Sequence, residues 1–178
     1  MKKKMSILSS IFGVSILGLC SAAAAITDFS GTWVLDHSKS QGPLAQSIWT
    51  ITQNDKEISI SVDDVIQFGP ESSGSKRGTK TYKLDGSETT KEATLNSIGV
   101  PAPESSHQVR TTEKAKWLDG GKVLELVRLT ERGDEKVTEI DRLELTDNGK
   151  TLKVKSTSES TSSTIPKRQG GDYIYTKK

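Results

Sequence analysis

The chain has 178 residues, a formal net charge of +2, 32% hydrophobic and 5% aromatic residues, and a single cysteine, Cys20. Three lysines lie in the first 25 residues, which carry no acid, so residues 26–178 alone have a net charge of −1. That balance leaves no basic stripe for nucleic acid and no acidic block for calcium. One cysteine excludes an internal disulfide framework, and the low apolar content excludes a large dry core.

Residues 1–25 read as a secretory signal. Lys2, Lys3 and Lys4 form a positive start, residues 7–19 a short apolar run, and Ala22 to Ala25 an Ala-x-Ala cleavage pattern. The run is shorter than the ~20 residues a spanning helix needs. The minor alternatives are an uncleaved anchor and a lipid anchor through Cys20, because Leu17-Gly18-Leu19-Cys20 approaches a lipobox. The expectation is an exported protein, periplasmic or extracellular, with one domain over residues 26–178.

That domain opens on Asp28-Phe29-Ser30-Gly31-Thr32-Trp33, with a first strand at residues 33–35. Residues 48–53 and 57–63 pair around Asn54-Asp55-Lys56, with Ile58, Ile60 and Val62 alternating against serines. Such period-two alternation marks a strand. Residues 79–84 and 87–93 flank Asp85-Gly86, which predicts a two-residue hairpin. Residues 108–117 and 122–131 flank Asp119-Gly120-Gly121. Residues 135–145 follow Arg132-Gly133-Asp134, residues 151–158 follow Asp147-Asn148-Gly149, and residues 172–176 form the last strand. Residues 69–78, 96–106 and 160–171 are rich in Ser, Gly or Pro and read as solvated loops. The fold class is all-β: an antiparallel up-and-down meander closing into a barrel of about 8–10 strands.

Several covered faces carry polar groups in mid-strand. Val109, Thr111, Glu113, Ala115 and Trp117 share one face, and Lys80, Tyr82 and Leu84 share another. Val137, Glu139, Asp141, Leu143 and Leu145 share a third. A β-bulge near Asp141-Arg142, or a position at the barrel rim, puts these groups outside and is the preferred account. The alternative is a wet cavity in which Lys80 meets Glu113 or Glu139. On that alternative Lys80, Tyr82, Thr111, Glu113 and Trp117 are the candidate ligand-binding residues.

Motifs for other chemistry are sparse. His37 sits in a predicted loop, and Asp63-Asp64 reads as a strand end rather than a cation site. There is no Gly-x-Ser-x-Gly elbow, Walker loop or dinucleotide fingerprint. No catalytic residue, metal ligand or cofactor is assigned.

Phe29-Ser30-Gly31-Thr32-Trp33-Val34-Leu35-Asp36 followed by Lys39-Ser40 resembles the start of small exported bacterial proteins with a lipocalin-like barrel. Tyr82 to Glu88, Ala115 to Gly120, Leu143 to Leu152 and the terminal Tyr173-Ile174-Tyr175-Thr176-Lys177-Lys178 are similar to that group as well. The resemblance implies that Trp33 plugs one barrel end and packs on a late arginine, for which Arg168 is the candidate. It implies no catalytic residue. The expected function is binding a small amphipathic ligand in the barrel. The alternatives are an envelope protein-interaction module using the three loops, and a lumenal acid/base enzyme using Glu113 with Lys80 or His107. No nucleic-acid partner and no transmembrane span in the mature chain are expected, and no protein partner is named.

Overall fold

A computed structural model describes residues 26–42, 44–69, 72–96, 106–161 and 170–178. The signal-like residues 1–25 with Cys20, the Val100-Pro101-Ala102-Pro103 stretch and Arg168 lie outside them. Among the described residues there are ten strands: β1 (Gly31–Leu35), β2 (Leu44–Gln53), β3 (Glu57–Gly69), β4 (Ser72–Lys83) and β5 (Thr89–Asn96), then β6 (Ser106–Leu118), β7 (Val123–Arg132), β8 (Glu135–Thr146), β9 (Thr151–Ser160) and β10 (Gly171–Lys177). All pairs are antiparallel, in the order β4-β3-β2-β1-β10-β9-β8-β7-β6-β5. The sheet curls into a nearly closed up-and-down barrel, compatible with the lipocalin-like shape. No described helix is long and apolar enough to cross a membrane.

Pairing β1 with β10 joins the two ends of the domain, with Trp33 opposite Lys177. The barrel's seam therefore falls elsewhere, between β4 and β5, which stand at the two ends of the strand order. This corrects the hairpin expected at Asp85-Gly86. The Asp85 carboxylate accepts the Ser87 N–H at 2.8 Å, so the chain does turn there. But β4 is laddered to β3 and β5 to β6, and the turn only carries the chain across the seam. Charged residues on both edges, Lys76 and Arg77 on β4 and Lys91 and Glu92 on β5, keep them from pairing with other chains.

Two further expectations are corrected. Residues 72–78 are strand, not loop: β3 and β4 run on as a long hairpin, with Asp63 opposite Arg77 and Val65 opposite Ser75. Pairing to a well-formed neighbour outweighs the weak strand preference of Ser and Gly. Asp63-Asp64 consequently lies in mid-strand, with Asp63 bonded to Arg77 at 2.9 Å and Asp64 buried. No bulge forms at Asp141-Arg142, where β8 pairs in register with β7 and β9 throughout. The register shifts lie at Leu44/Gln46 and Gln67/Gly69 instead.

One end of the barrel is sealed. Residues 26–30 are bonded to it at Thr27 N–H to the Gly121 carbonyl, 3.0 Å, and at Phe29 N–H to Gln53 Oε1, 3.1 Å. Phe29 is fully buried and its ring stacks on Trp117 with centroids 6.1 Å apart. Trp33 is fully buried, and its indole N–H donates to the Phe29 carbonyl at 2.9 Å. Around them pack Ile51, Ile58, Leu124, Leu143, Leu152 and Tyr175. The cation over Trp33 is Lys177 of β10, its Nζ 5.2 Å from the ring centroid. Gly31, at φ +142, makes room for it, since a Cβ there would meet the Lys177 Cε at 2.7 Å. The Gly-x-Trp spacing thus has a local reason: glycine admits the lysine stem that lies on the tryptophan two residues later.

Candidate functional site

Period-two alternation carries the same inward faces from the sealed end toward the opposite one, and their chemistry changes on the way. On β8 the inward series runs from Leu143 to the buried Asp141 and then to Glu139. On β9 it runs from Leu152 and Val154 to the buried Ser156. On β3, Ile58 and Ile60 lead through Val62 to the buried Asp64. The result is a band of charge above an apolar floor.

The band is ordered by register. Glu113, Arg128 and Glu139 are direct cross-strand partners on β6, β7 and β8. Arg128 Nη1 donates to Glu139 Oε2 at 3.3 Å, and its Nε lies 3.8 Å from Glu113 Oε1. Glu113, 4% exposed, also accepts from Lys91 Nζ at 2.8 Å, so a lysine on the seam strand is tied to an interior carboxylate. Lys80 reaches Glu139 at 3.9 Å. Of the two partners expected for Lys80, the structure therefore selects Glu139. The two aspartates lean on hydroxyls. Ser156 Oγ donates to Asp141 Oδ1 at 2.6 Å, and Ser47 Oγ donates to Asp64 Oδ1 at 2.5 Å while lying 3.1 Å from the Tyr175 hydroxyl. Charged groups are tolerated in such places because each has hydrogen-bonding or ionic partners.

Burial is the main influence on the titration of Lys80 and Tyr82. It holds the Lys80 ammonium below the ordinary lysine value, opposed by Glu139 and Asp141 and reinforced by Arg128. Burial and the neighbouring carboxylates push the Tyr82 phenol well up, so it stays protonated.

Between the β2–β4 wall and the β7–β8 wall lies a cavity of about 210 Å³. Trp49, Ile60, Val62 and Leu126 supply its apolar wall, and Lys76, Arg77, Lys80, Arg128, Asp64 and Asp141 its charges. Residues 76–80 of β4 all line it. Because strand neighbours face opposite ways, the cavity must reach round the free edge of β4 at the seam. Of the lining residues, Trp49 has its Nε1 buried without a hydrogen-bond partner among the described residues, and Arg128 Nε, also buried, has only the ion pair with Glu113 at 3.8 Å.

The sequence-predicted residues separate. Lys80 and Tyr82 line the cavity, and Glu113 sits behind its Arg128. Thr111 lies two residues farther from the sealed end than Glu113, half-buried and opposite Lys91 and Thr130. Trp117 belongs to the floor, against Phe29. His107 is on β6, but its side chain lies outside those described. Glu125, two residues before Val127 on β7, faces outward and binds Arg142 at 2.7 Å. Alternation missed Arg128 because Val127 and Leu129 make both faces of β7 look apolar. Asp64 was legible, being in phase with Ile58, Ile60 and Val62. Among the described residues no group of three potential metal ligands converges.

No family model matches the chain, and no curated protein matches it.

Proposed function

We propose that this protein is an exported barrel that binds a small amphipathic ligand in the cavity beside the β4–β5 seam. The observation that carries the reading is the cavity itself. It is about 210 Å³, with an apolar wall of Trp49, Ile60, Val62 and Leu126 facing a few charged groups. Largely apolar sites with a few placed polar groups are the usual form of small-molecule pockets. The sealed floor supports the reading, because Phe29 and Trp33 give the lumen a bottom. Export is supported by the Lys2-Lys3-Lys4 start and the Ala22–Ala25 pattern.

The test is native mass spectrometry after gentle purification, with thermal shift across lipid and aromatic panels. The expected result is a bound small molecule or a stabilising hit that is lost when Val62→Phe fills the cavity. A stable barrel with no adduct and no shift on either panel refutes the reading. Amino-terminal analysis of the secreted form is expected to begin after Ala25.

A further inference from the structure

Among the described residues, every lysine but one is exposed. The exception is Lys80, whose side chain is 21% exposed and lines the cavity. Register places it on the inward face of β4, directly opposite the buried Ile60 and two residues before the buried Tyr82. We infer, resting on the ligand-binding reading above, that Lys80 Nζ captures a small apolar aldehyde in this cavity as an imine.

The amine is not taken up by the ion-pair row beside it. Its contact with Glu139 spans 3.9 Å, too long for a hydrogen bond, and Glu139 already accepts from Arg128 Nη1 at 3.3 Å. Burial holds the ammonium below the ordinary lysine value, which enriches the free amine, the form that attacks a carbonyl carbon. Arg128 on β7 and Lys76 on β4 act in the same direction, while Glu139 and Asp141 on β8 oppose it without reversing it. Trp49, Ile60, Val62 and Leu126 give the rest of the ligand an apolar wall. An apolar cavity of about 150 Å³ holds benzene, and this one, at about 210 Å³, has room for a ring with one small substituent.

The step balances without a further reagent. The Nζ lone pair forms a C–N bond to the carbonyl carbon as the C=O π pair moves to oxygen. The two protons of the neutral amine leave with that oxygen as water, and a C=N bond remains. Nothing is oxidised or reduced. Glu139 stays beside the nitrogen as counter-ion when the imine is protonated.

The test treats the unmodified protein with benzaldehyde and cyanoborohydride at neutral pH and locates the benzyl adduct by peptide mapping. Lys80 is expected to be labelled at least about tenfold faster than the exposed Lys153 and Lys155. Cumene, of similar size and without a carbonyl, is expected to suppress labelling of Lys80 and to leave Lys153 unchanged. Lys80→Arg, which keeps the charge and removes the amine, is expected to lose the fast site while still binding cumene by thermal shift. Labelling of Lys80 no faster than that of Lys153, with cumene bound, overturns the imine and leaves the binding reading standing. Fast labelling that bound cumene does not slow puts the reactive amine outside the cavity and overturns it too. Failure of both benzaldehyde and cumene to bind counts against the cavity as a ligand site, and this inference falls with it. The labelling comparison in the unmodified protein decides the matter if Lys80→Arg does not fold.

Discussion

The two halves of this barrel are built from the same strands with the same alternation, yet one is a dry plug and the other a band of charge. At the floor, Phe29, Trp33, Leu124, Leu143 and Leu152 are buried together, and the one indole N–H there is satisfied by the Phe29 carbonyl. Two to four residues along the same strands stand Arg128, Asp141, Glu139 and Ser156. The difference teaches that facing inward and being apolar are separate properties. Alternation determines the first. Local sequence determines the second, and inward polar groups are tolerated where others lie within reach, as Glu113, Arg128 and Glu139 do.

The comparison can be broken most severely at the floor. Trp33→Ala is expected to cost about 3–5 kcal/mol in urea denaturation, since it opens a large cavity and leaves the Phe29 carbonyl without its donor. A cost no larger than that of a mouth substitution would erase the distinction. In the band, Glu113→Gln is expected to cost about 1–3 kcal/mol, because Lys91 and Arg128 lose a charged acceptor. A double-mutant cycle with Lys91→Met is expected to assign part of that to the tie across the seam. Lys177→Met should cost only about 0.5–1 kcal/mol, the value of a surface cation on an indole face.

The subtlest expectation is a slope. Lys80 is held below the ordinary lysine value by burial, so the folded protein releases this proton at lower pH than the unfolded chain. Between those two values the unfolded state binds more protons, and stability rises with pH. The penalty of burying the ammonium is fully present below the folded value and gone above the ordinary lysine value. Comparing denaturation across alkaline pH for wild type and Lys80→Met is expected to show that this upward contribution disappears in the variant. An unchanged slope would mean that Lys80 is solvated rather than enclosed.

Much of the fold was legible because its signals are local. The strands bounded by Asp119-Gly120-Gly121 and Asp147-Asn148-Gly149 match expectation, and Gly120 (φ +63) and Asn148 (φ +56) hold the left-handed conformations those turns require. Period two put Glu113, Tyr82 and Asp141 on covered faces, but the preferred reading, a bulge or a rim position, turned the polar groups outward, and the burial of Glu113 and Asp141 corrects it. The errors came where local chemistry and tertiary pairing disagree. Asp85-Gly86 has the composition of a hairpin but joins the two strands that border the seam. Residues 72–78 have the composition of a loop but ladder onto β3. The late cation on Trp33 is Lys177, whose place depends on the β1–β10 register rather than on a motif.

By itself the sequence determined an all-β chain, the positions of most turns and which side chains share a face, because dihedral preference and alternation act between neighbours along the chain. Only the tertiary structure decided that Glu113, Arg128 and Glu139 form one row and that Lys80 meets Glu139 across the barrel. It also decided where the seam falls and that a cavity lies beside it. Those facts depend on register and closure, which are set by the burial of the whole sheet on itself, a quantity no short stretch of sequence contains.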